Sequence, residues 1–403
     1  MTGSEIGQNN KHNYNNLYRA VPVLVICLLA IYLLSGTNPE AAITTGFGFL
    51  FGYIFQRSRF CFAAGFRDVF MIRNTVLSRA VLLTVLFTTI GFAIVHFIKG
   101  DALPSGGIIY PVGLHTAIGG LIFGFGMVIA GNCVSGCLMR MGEGYLMQWL
   151  TFGGILLGSA IGAWHLGWWD QVSIAQSPTV FLPQSLGWTL TLVLQVSFVI
   201  GLYILAYFYE RNWRKAPLRI LTNKKEANRT FTGEVKNVFS TGSLSYSTGA
   251  VLLAITNTLL FYSWGRPWAI TGGLTHLVGW ISIQIGISPY KWHYFQELIF
   301  DESKRIFLEH PLLYLSLAMI AGSLFASLVA GEFRVRFPKA IRFIISALAG
   351  GFLLGYGSRV AMGCNVGGFL GGVASLSLHG WVLALFMLFG AYLGGKFFMR
   401  FLI

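Results

Sequence analysis

Gly119-Gly120-Leu121-Ile122-Phe123-Gly124-Phe125-Gly126 reappears 231 residues later as Gly350-Gly351-Phe352-Leu353-Leu354-Gly355-Tyr356-Gly357. At the same offset Ala130 pairs with Ala361, Cys133 with Cys364 and Gly136 with Gly367. One residue further in offset, Trp149 pairs with Trp381, Gly158 with Gly390 and Gly162 with Gly394. A weaker echo sets Phe60-Cys61-Phe62-Ala63-Ala64-Gly65 against Trp268-Ala269-Ile270-Thr271-Gly272-Gly273, with Ala269 where the first copy has Cys61. Glycine-rich membrane helices resemble one another by composition, because small residues let helices approach closely. A matched cysteine, its flanking glycines and an in-step Trp-Gly-Gly match are hard to obtain from that bias alone. The stretch therefore reads as one of two copies of an apolar, glycine-faced helix leading to a cysteine.

Composition sets the solvent for those helices. Hydrophobic residues make up 55% of the 403 positions and charged residues only 10%. A soluble chain carries about 25% charged residues, so too few remain to cover a water-facing surface. This excludes a soluble multidomain protein, disorder, a secreted disulfide scaffold and a coiled coil. The expected fold class is all-α: a polytopic membrane helical bundle with an inverted internal repeat. A spanning helix needs about 20 apolar residues, and about ten candidates appear, at 21–36, 42–56, 79–98, 114–133, 148–166, 187–208, 247–263, 311–331, 341–361 and 379–399. Residues 264–290 are apolar but broken by Gly265, Pro267, Gly272, Gly273 and Gly279, and read as a re-entrant or broken helix.

The net charge of +14 is distributed as a topology signal. Eight basic residues lie between Arg211 and Lys236, five more are Arg57, Arg59, Arg67, Arg73 and Arg79, and Arg334, Arg336, Lys339 and Arg342 form a third cluster. All flank apolar runs, the positive-inside pattern, which favours membrane lipid headgroups over nucleic acid as their partner. With the N-terminus inside, every cluster falls on one face and the C-terminus is inside too. The segment after Cys133 then lies near the inner face and the segment after Cys364 near the outer one, so the halves are inverted, a transporter arrangement. The organisation is an N-terminal tail and first helix (1–41), a first half (42–208), a basic cytoplasmic linker (209–246) and a second half (247–403).

Three cysteine-centred segments carry a family resemblance: Arg57-Ser58-Arg59-Phe60-Cys61-Phe62-Ala63-Ala64-Gly65-Phe66-Arg67-Asp68, Gly124-Phe125-Gly126 running into Ala130-Gly131-Asn132-Cys133, and Gly357-Ser358-Arg359-Val360-Ala361-Met362-Gly363-Cys364-Asn365. With Gly265-Arg266-Pro267-Trp268-Ala269-Ile270-Thr271-Gly272, they resemble the YeeE/YedE family of membrane sulfur-compound transporters, in its longer YedE-like form. The half bearing Cys61 comes first here, whereas some longer members carry it second. The resemblance implies inward movement of thiosulfate or a related sulfur anion across the bacterial cytoplasmic (inner) membrane. It also implies successive contact of the substrate sulfur with Cys61, Cys133 and Cys364, and a small sulfur-carrier partner of the TusA type.

The residue chemistry is consistent with that task. A neutral thiol is a weak donor and a polarisable contact, able to touch a soft sulfur without trapping it. Glycines beside Cys133 and Cys364 suggest broken helices whose free N–H groups attract anions. Asn132 and Asn365 are further hydrogen-bond donors or plain caps. Arg359, inside an apolar stretch, either attracts the anion, pairs with an acid or snorkels. Cys27 reads as a small buried hydrophobe, as does Cys137, although Cys137 shares a helix face with Cys133. Arg67 with Asp68 and Arg140 with Glu143 read as local ion pairs, and His276 and His379 as structural. No metal motif and no cofactor site appears. The alternative reading is a membrane thiol redox enzyme using Cys133 with Cys137 or Cys61; a duplicated pathway has no obvious use in such an enzyme.

Overall fold

The structure, a computed structural model, describes residues 3–100, 106–213, 243–296, 307–338 and 340–401, with side chains from residue 18 onward. Linker residues 214–242 and Lys339, which held part of the expected basic clusters, lie outside them. The described residues contain no β-strand, only isolated bridges. The helices are α1 (Gly3–Thr37), α2 (Pro39–Ser58), α3 (Phe62–Met71), α4 (Val76–Lys99), α5 (Leu114–Ile129), α6 (Val134–Gly142), α7 (Leu146–Trp169), α8 (Trp188–Trp213), α9 (Tyr246–Trp264), α10 (Thr271–Gln284), α11 (Pro311–Val329), α12 (Ile341–Val360) and α13 (Leu378–Phe401). A π-helical turn, Asn365–Gly371, lies between α12 and α13.

All ten expected spans fall on helices, though α5 stops at Ile129 rather than reaching Cys133. Among the described residues eight segments are long and apolar enough to cross a membrane, and the protein is an all-α polytopic membrane protein. The two shortfalls, α2 and α9, owe it to polar residues that they bury: Thr44, Thr45, Gln56 and Arg57 on α2, Thr248, Thr256 and Asn257 on α9. Both are well-formed helices. Asn38 caps α2 by accepting from the Ala41 N–H at 3.1 Å, with Pro39 in the first turn. Ser245 caps α9 through the Thr248 N–H at 3.2 Å. By contrast α1 and α8 stay largely uncovered, exposing Val25, Ile26, Leu29, Leu190, Val193 and Leu194 as lipid-facing helices do.

One pattern recurs four times: a long helix, a break, a short helix, a long helix. The units are α2–α3–α4, α5–α6–α7, α9–α10–α11, and α12–π turn–α13. Each break contains one left-handed residue, at Arg59 (φ 52°), Gly131 (φ 77°), Gly265 (φ 78°) and Met362 (φ 55°). Another follows each short helix, at Arg73, Gly144, Gly286 and Leu376. For a non-glycine residue this conformation costs roughly 1–2 kcal/mol. Arg59, Arg73, Met362 and Leu376 are the non-glycine instances among the described residues, and all lie at these breaks.

The long helices pack through glycine on backbone, in contacts that come in pairs. A Cβ on Gly119 would stand 2.4 Å from the Ala361 nitrogen, and one on Gly350 2.4 Å from the Ala130 nitrogen. A Cβ on Gly124 would stand 2.2 Å from the Met387 carbonyl oxygen, and one on Gly355 2.1 Å from that of Ile155. A Cβ on Gly158 would stand 2.1 Å from the Phe352 oxygen, and one on Gly390 2.2 Å from that of Leu121. The contacts at Ala361 and Ala130 make α5 and α12 antiparallel neighbours. They also show an exchange of partners: α5 packs on α13 and α12 on α7, just as α2 packs on α11 and α9 on α4. The core lies where these pairs meet, with Phe51 stacked on Trp268 at 3.9 Å and Phe55, Phe60 and Phe62 around them.

Candidate functional site

Each of the three motif cysteines is the residue that opens a short helical segment after a break. Cys61 precedes α3, Cys133 precedes α6 and Cys364 precedes the π turn. The left-handed residues Arg59, Gly131 and Met362 stand two positions before them. At Cys61 and Cys133 the turn brings backbone N–H groups of the short helix to the sulfur, from Ala64 and Gly136 respectively. All three sulfurs are buried and none is in a disulfide.

Cys61 and Cys133 meet. Their thiols lie within interaction range of one another, and backbone N–H groups of Ala63 and Gly136 face the Cys133 sulfur. The Cys61 thiol donates to Asn132 Oδ1 across 3.8 Å, and Ser135 Oγ lies 3.2 Å from Cys133 Sγ. Asn132 is thus an acceptor for the thiol. Two helix N-termini, each with partial positive charge, converge on two soft sulfurs. Cys137 is turned away, its thiol donating to the Gln148 carbonyl at 3.2 Å.

A cavity of about 260 Å³ reaches Cys61, lined also by Arg59, Arg67, Asn132 and Arg140 among others. Among the described residues, two of its three lining cations are ion-paired. Arg59 binds Glu143 and Glu332, each at 2.7 Å, and Arg67 binds Asp68 at 2.8 Å as expected from sequence. The expected Arg140–Glu143 pair is corrected: Glu143 takes Arg59, reached from another unit, while Arg140 lies over the Tyr145 ring at 5.1 Å. Burial pushes the Glu143 carboxyl above its ordinary value, against the pull of Arg59 and Arg140. Arg336 reaches the Tyr145 hydroxyl, and Gln56 donates to Glu332 at 2.7 Å, tying this end of the bundle together.

Cys364 belongs to a second cluster, formed with α10. Arg359 Nη2 donates to Thr271 Oγ1 at 2.6 Å and the guanidinium lies 5.2 Å from the Tyr294 ring centroid. Arg359 is 7% exposed, its Nε has no partner, and among the described residues no carboxylate pairs with it. The side chain is thus buried rather than snorkelled, and among the described residues it pairs with no carboxylate. Tyr110 lies within electrostatic reach of Arg359, Tyr294 and Cys364. Asn365 points inward, Nδ2 donating to the Met127 sulfur at 3.7 Å while its buried Oδ1 has no partner. His379 Nε2 lies 2.9 Å from the Ala361 oxygen and His276 stacks on His310 at 4.0 Å, both packing roles.

The two clusters correspond. A Cβ on Gly136 would stand 3.5 Å from Cys61 Sγ, and one on Gly367 would stand 3.2 Å from Ala269 Cβ. Ala269 thus occupies, beside Cys364, the place that Cys61 holds beside Cys133. Sequence reading had noted the Ala269 substitution but missed Thr271, Tyr110, Tyr294 and the Arg59–Glu143–Glu332 network. The unit pattern was the available signal for Thr271, which starts the short helix of the third unit. Among the described residues no group of three or more His, Cys, Asp or Glu side chains could hold a metal ion.

A family model described as sulphur transport matches residues 57–393. The chain belongs to the sulphur transport family. Within it, the thiosulfate transporter TsuA of Spirochaeta thermophila is 30% identical over 355 residues, covering 85% of this chain and 94% of its own length. TsuA of Escherichia coli is 28% identical over 351 residues, covering 86% and 91%. The probable transporter YedE of Salmonella typhimurium is 33% identical over 149 residues, covering 37% and 36%. Membership of the sulphur transport family supports a membrane transporter of sulfur compounds and lends nothing to a thiol redox enzyme.

Proposed function

We propose that this protein takes up thiosulfate, or a closely related small sulfur-containing anion, through a narrow path lined by Cys364, Cys61 and Cys133. The observation that carries this reading is the placement of all three thiols at the start of short helical segments, with Cys61 lining a cavity and Cys133 beside it. The two relatives that align over most of the chain are thiosulfate transporters.

The physical task is to dehydrate a dianion without trapping it. Helix N-termini replace hydration with fixed N–H dipoles. Thiols supply weak, polarisable contacts to the terminal sulfur, and a series of weak sites allows exit as well as entry. Arg359 with Asn365 serves the Cys364 end and Asn132 the other.

The membrane is the bacterial cytoplasmic (inner) membrane and both termini are cytoplasmic. This rests on Arg57, Arg59, Arg67, Arg140, Arg334 and Arg336 sharing the cavity's end of the bundle. The Cys61–Cys133 pair then opens inward, where a TusA-like carrier would receive sulfur. The halves 42–208 and 247–403 act as inverted repeats joined by the linker 209–246; the paired glycine contacts and the antiparallel α5 and α12 support this. The test is growth of a bacterium deficient in thiosulfate uptake, with thiosulfate as sole sulfur source. Growth on expression of this chain is expected; no growth despite confirmed membrane expression overturns the substrate.

A further inference from the structure

Each cysteine cluster has beside it an arginine in the same state. Arg359 lies in the last turn of α12, its guanidinium 5.2 Å from the Tyr294 ring centroid and its buried Nε without a partner. Arg140 lies in the last turn of α6, its guanidinium 5.1 Å from the Tyr145 ring centroid and its buried Nε likewise without a partner. Among the described residues neither forms an ion pair with a carboxylate. Arg140 lines the cavity together with Cys61 and Asn132, and it acts electrostatically on Cys61. The repeat does not generate this likeness. At the offset of 231, Arg359 corresponds to Val128 and Arg140 to Gly371. One half supplies its arginine from a long helix and the other from a short one, and the surroundings agree all the same.

Arg140 differs from the other cavity arginines in being uncommitted. Arg59 is held by Glu143 and Glu332, and Arg67 by Asp68. Glu143 pulls on Arg140 at longer range, but its Oε1 is taken by Arg59 at 2.7 Å. Arg336 also lies over the Tyr145 ring, 4.4 Å from the centroid. Two guanidinium groups therefore gather on one ring. Like charges so placed repel, and an arriving anion relieves that repulsion.

We propose that Arg140 holds the oxyanion end of the substrate at the inner station, as Arg359 does at the outer one, so that the path has two matched ends, each with a thiol for the terminal sulfur and a ring-supported guanidinium for the oxygens. This rests on the sulfur-anion reading above. It adds a substrate-binding residue, and it makes the direction of transport a property of the gradient, because matched ends bind alike from either face. A guanidinium fork can take two oxygens of one anion while its face stays on the ring.

The test uses the full chain in right-side-out and inside-out membrane vesicles, following entry of labelled thiosulfate from each face. For the parent, the KM values at the two faces should agree within about fivefold, and a larger difference overturns the matched pair on unmutated protein. Arg140→Gln should raise KM by about tenfold or more at one face and leave the other within about twofold; Arg359→Gln should do the same at the opposite face. A KM that Arg140→Gln leaves unchanged at both faces, or raises alike at both, overturns the role of Arg140. If the parent moves no thiosulfate, the uptake reading fails by itself. Sulfate, which shares the oxyanion and lacks the terminal sulfur, then serves as the probe on purified protein. Two sites of similar affinity, one of them lost in Arg140→Gln, support the matched pair, and binding that Arg140→Gln leaves unchanged overturns it.

Discussion

Gly136 stands beside the Cys61 thiol, close enough that a Cβ on it would lie 3.5 Å from the sulfur and 3.2 Å from Asn132 Oδ1. No backbone blocks that methyl, and alanine is favoured over glycine inside a helix by about 1 kcal/mol. Gly136→Ala should therefore keep or slightly raise the melting temperature while cutting thiosulfate uptake by about tenfold, since the methyl fills space that a passing anion needs. Uptake and thermal unfolding measured on the same preparation check this. An unchanged rate would place the path elsewhere.

The thiols separate by orientation. Cys61→Ala, Cys133→Ala and Cys364→Ala should each abolish uptake, whereas Cys137→Ser should leave it near the parent level, because a hydroxyl can also donate to the Gln148 carbonyl. Loss in Cys137→Ser as deep as in Cys133→Ala would instead revive a dithiol role for that pair.

Glu143 gives a pH dependence of stability. Burial raises its carboxyl above the ordinary 4.5, so the folded protein binds this proton more tightly than the unfolded chain does. The resulting stabilisation is complete below the unfolded value and is lost as pH rises through the raised folded value. Glu143→Gln removes the titration. Melting scans from about pH 4 to 8 should show the parent losing stability relative to Glu143→Gln above 4.5, then a constant difference once the folded carboxyl has ionised. Parallel curves would refute the assignment.

Gly119→Ala and Gly350→Ala should fail alike. Each would drive a methyl to 2.4 Å from a backbone nitrogen of the partner helix, and overpacking of this kind costs about 1–3 kcal/mol or more. Gly153→Ala and Gly201→Ala meet nothing within 4 Å and should be neutral or stabilising. Expression yield and melting temperature of the four variants read this directly.

Much of this arrangement was legible in the sequence. Runs of about 20 apolar residues announce themselves, so the ten long helices could be marked, and Cys133 and Cys364 stood out through their glycines. The breaks at Arg59 and Met362 were not legible as left-handed, because a non-glycine residue rarely adopts that conformation and nothing local marks it. The meeting of Cys61 with Cys133 depends on α3 and α6 facing one another, which sequence spacing does not encode. Glu143 was assigned its nearest cation along the chain, Arg140, when Arg59 of a different unit was the partner in space. Arg359 was singled out by its apolar context, but Thr271, which holds it, is one threonine among many.

The exchange of helix partners also bears on biogenesis. Because α2 rests on α11, α5 on α13, and both α9 and α12 on helices of the first half, neither half encloses a core alone. During synthesis the first half enters the bilayer with its glycine grooves unseated, and lipid or an insertion chaperone must shield them until the second half emerges. Two separately encoded halves should find one another and assemble, while either half made alone should be a substrate for membrane proteases.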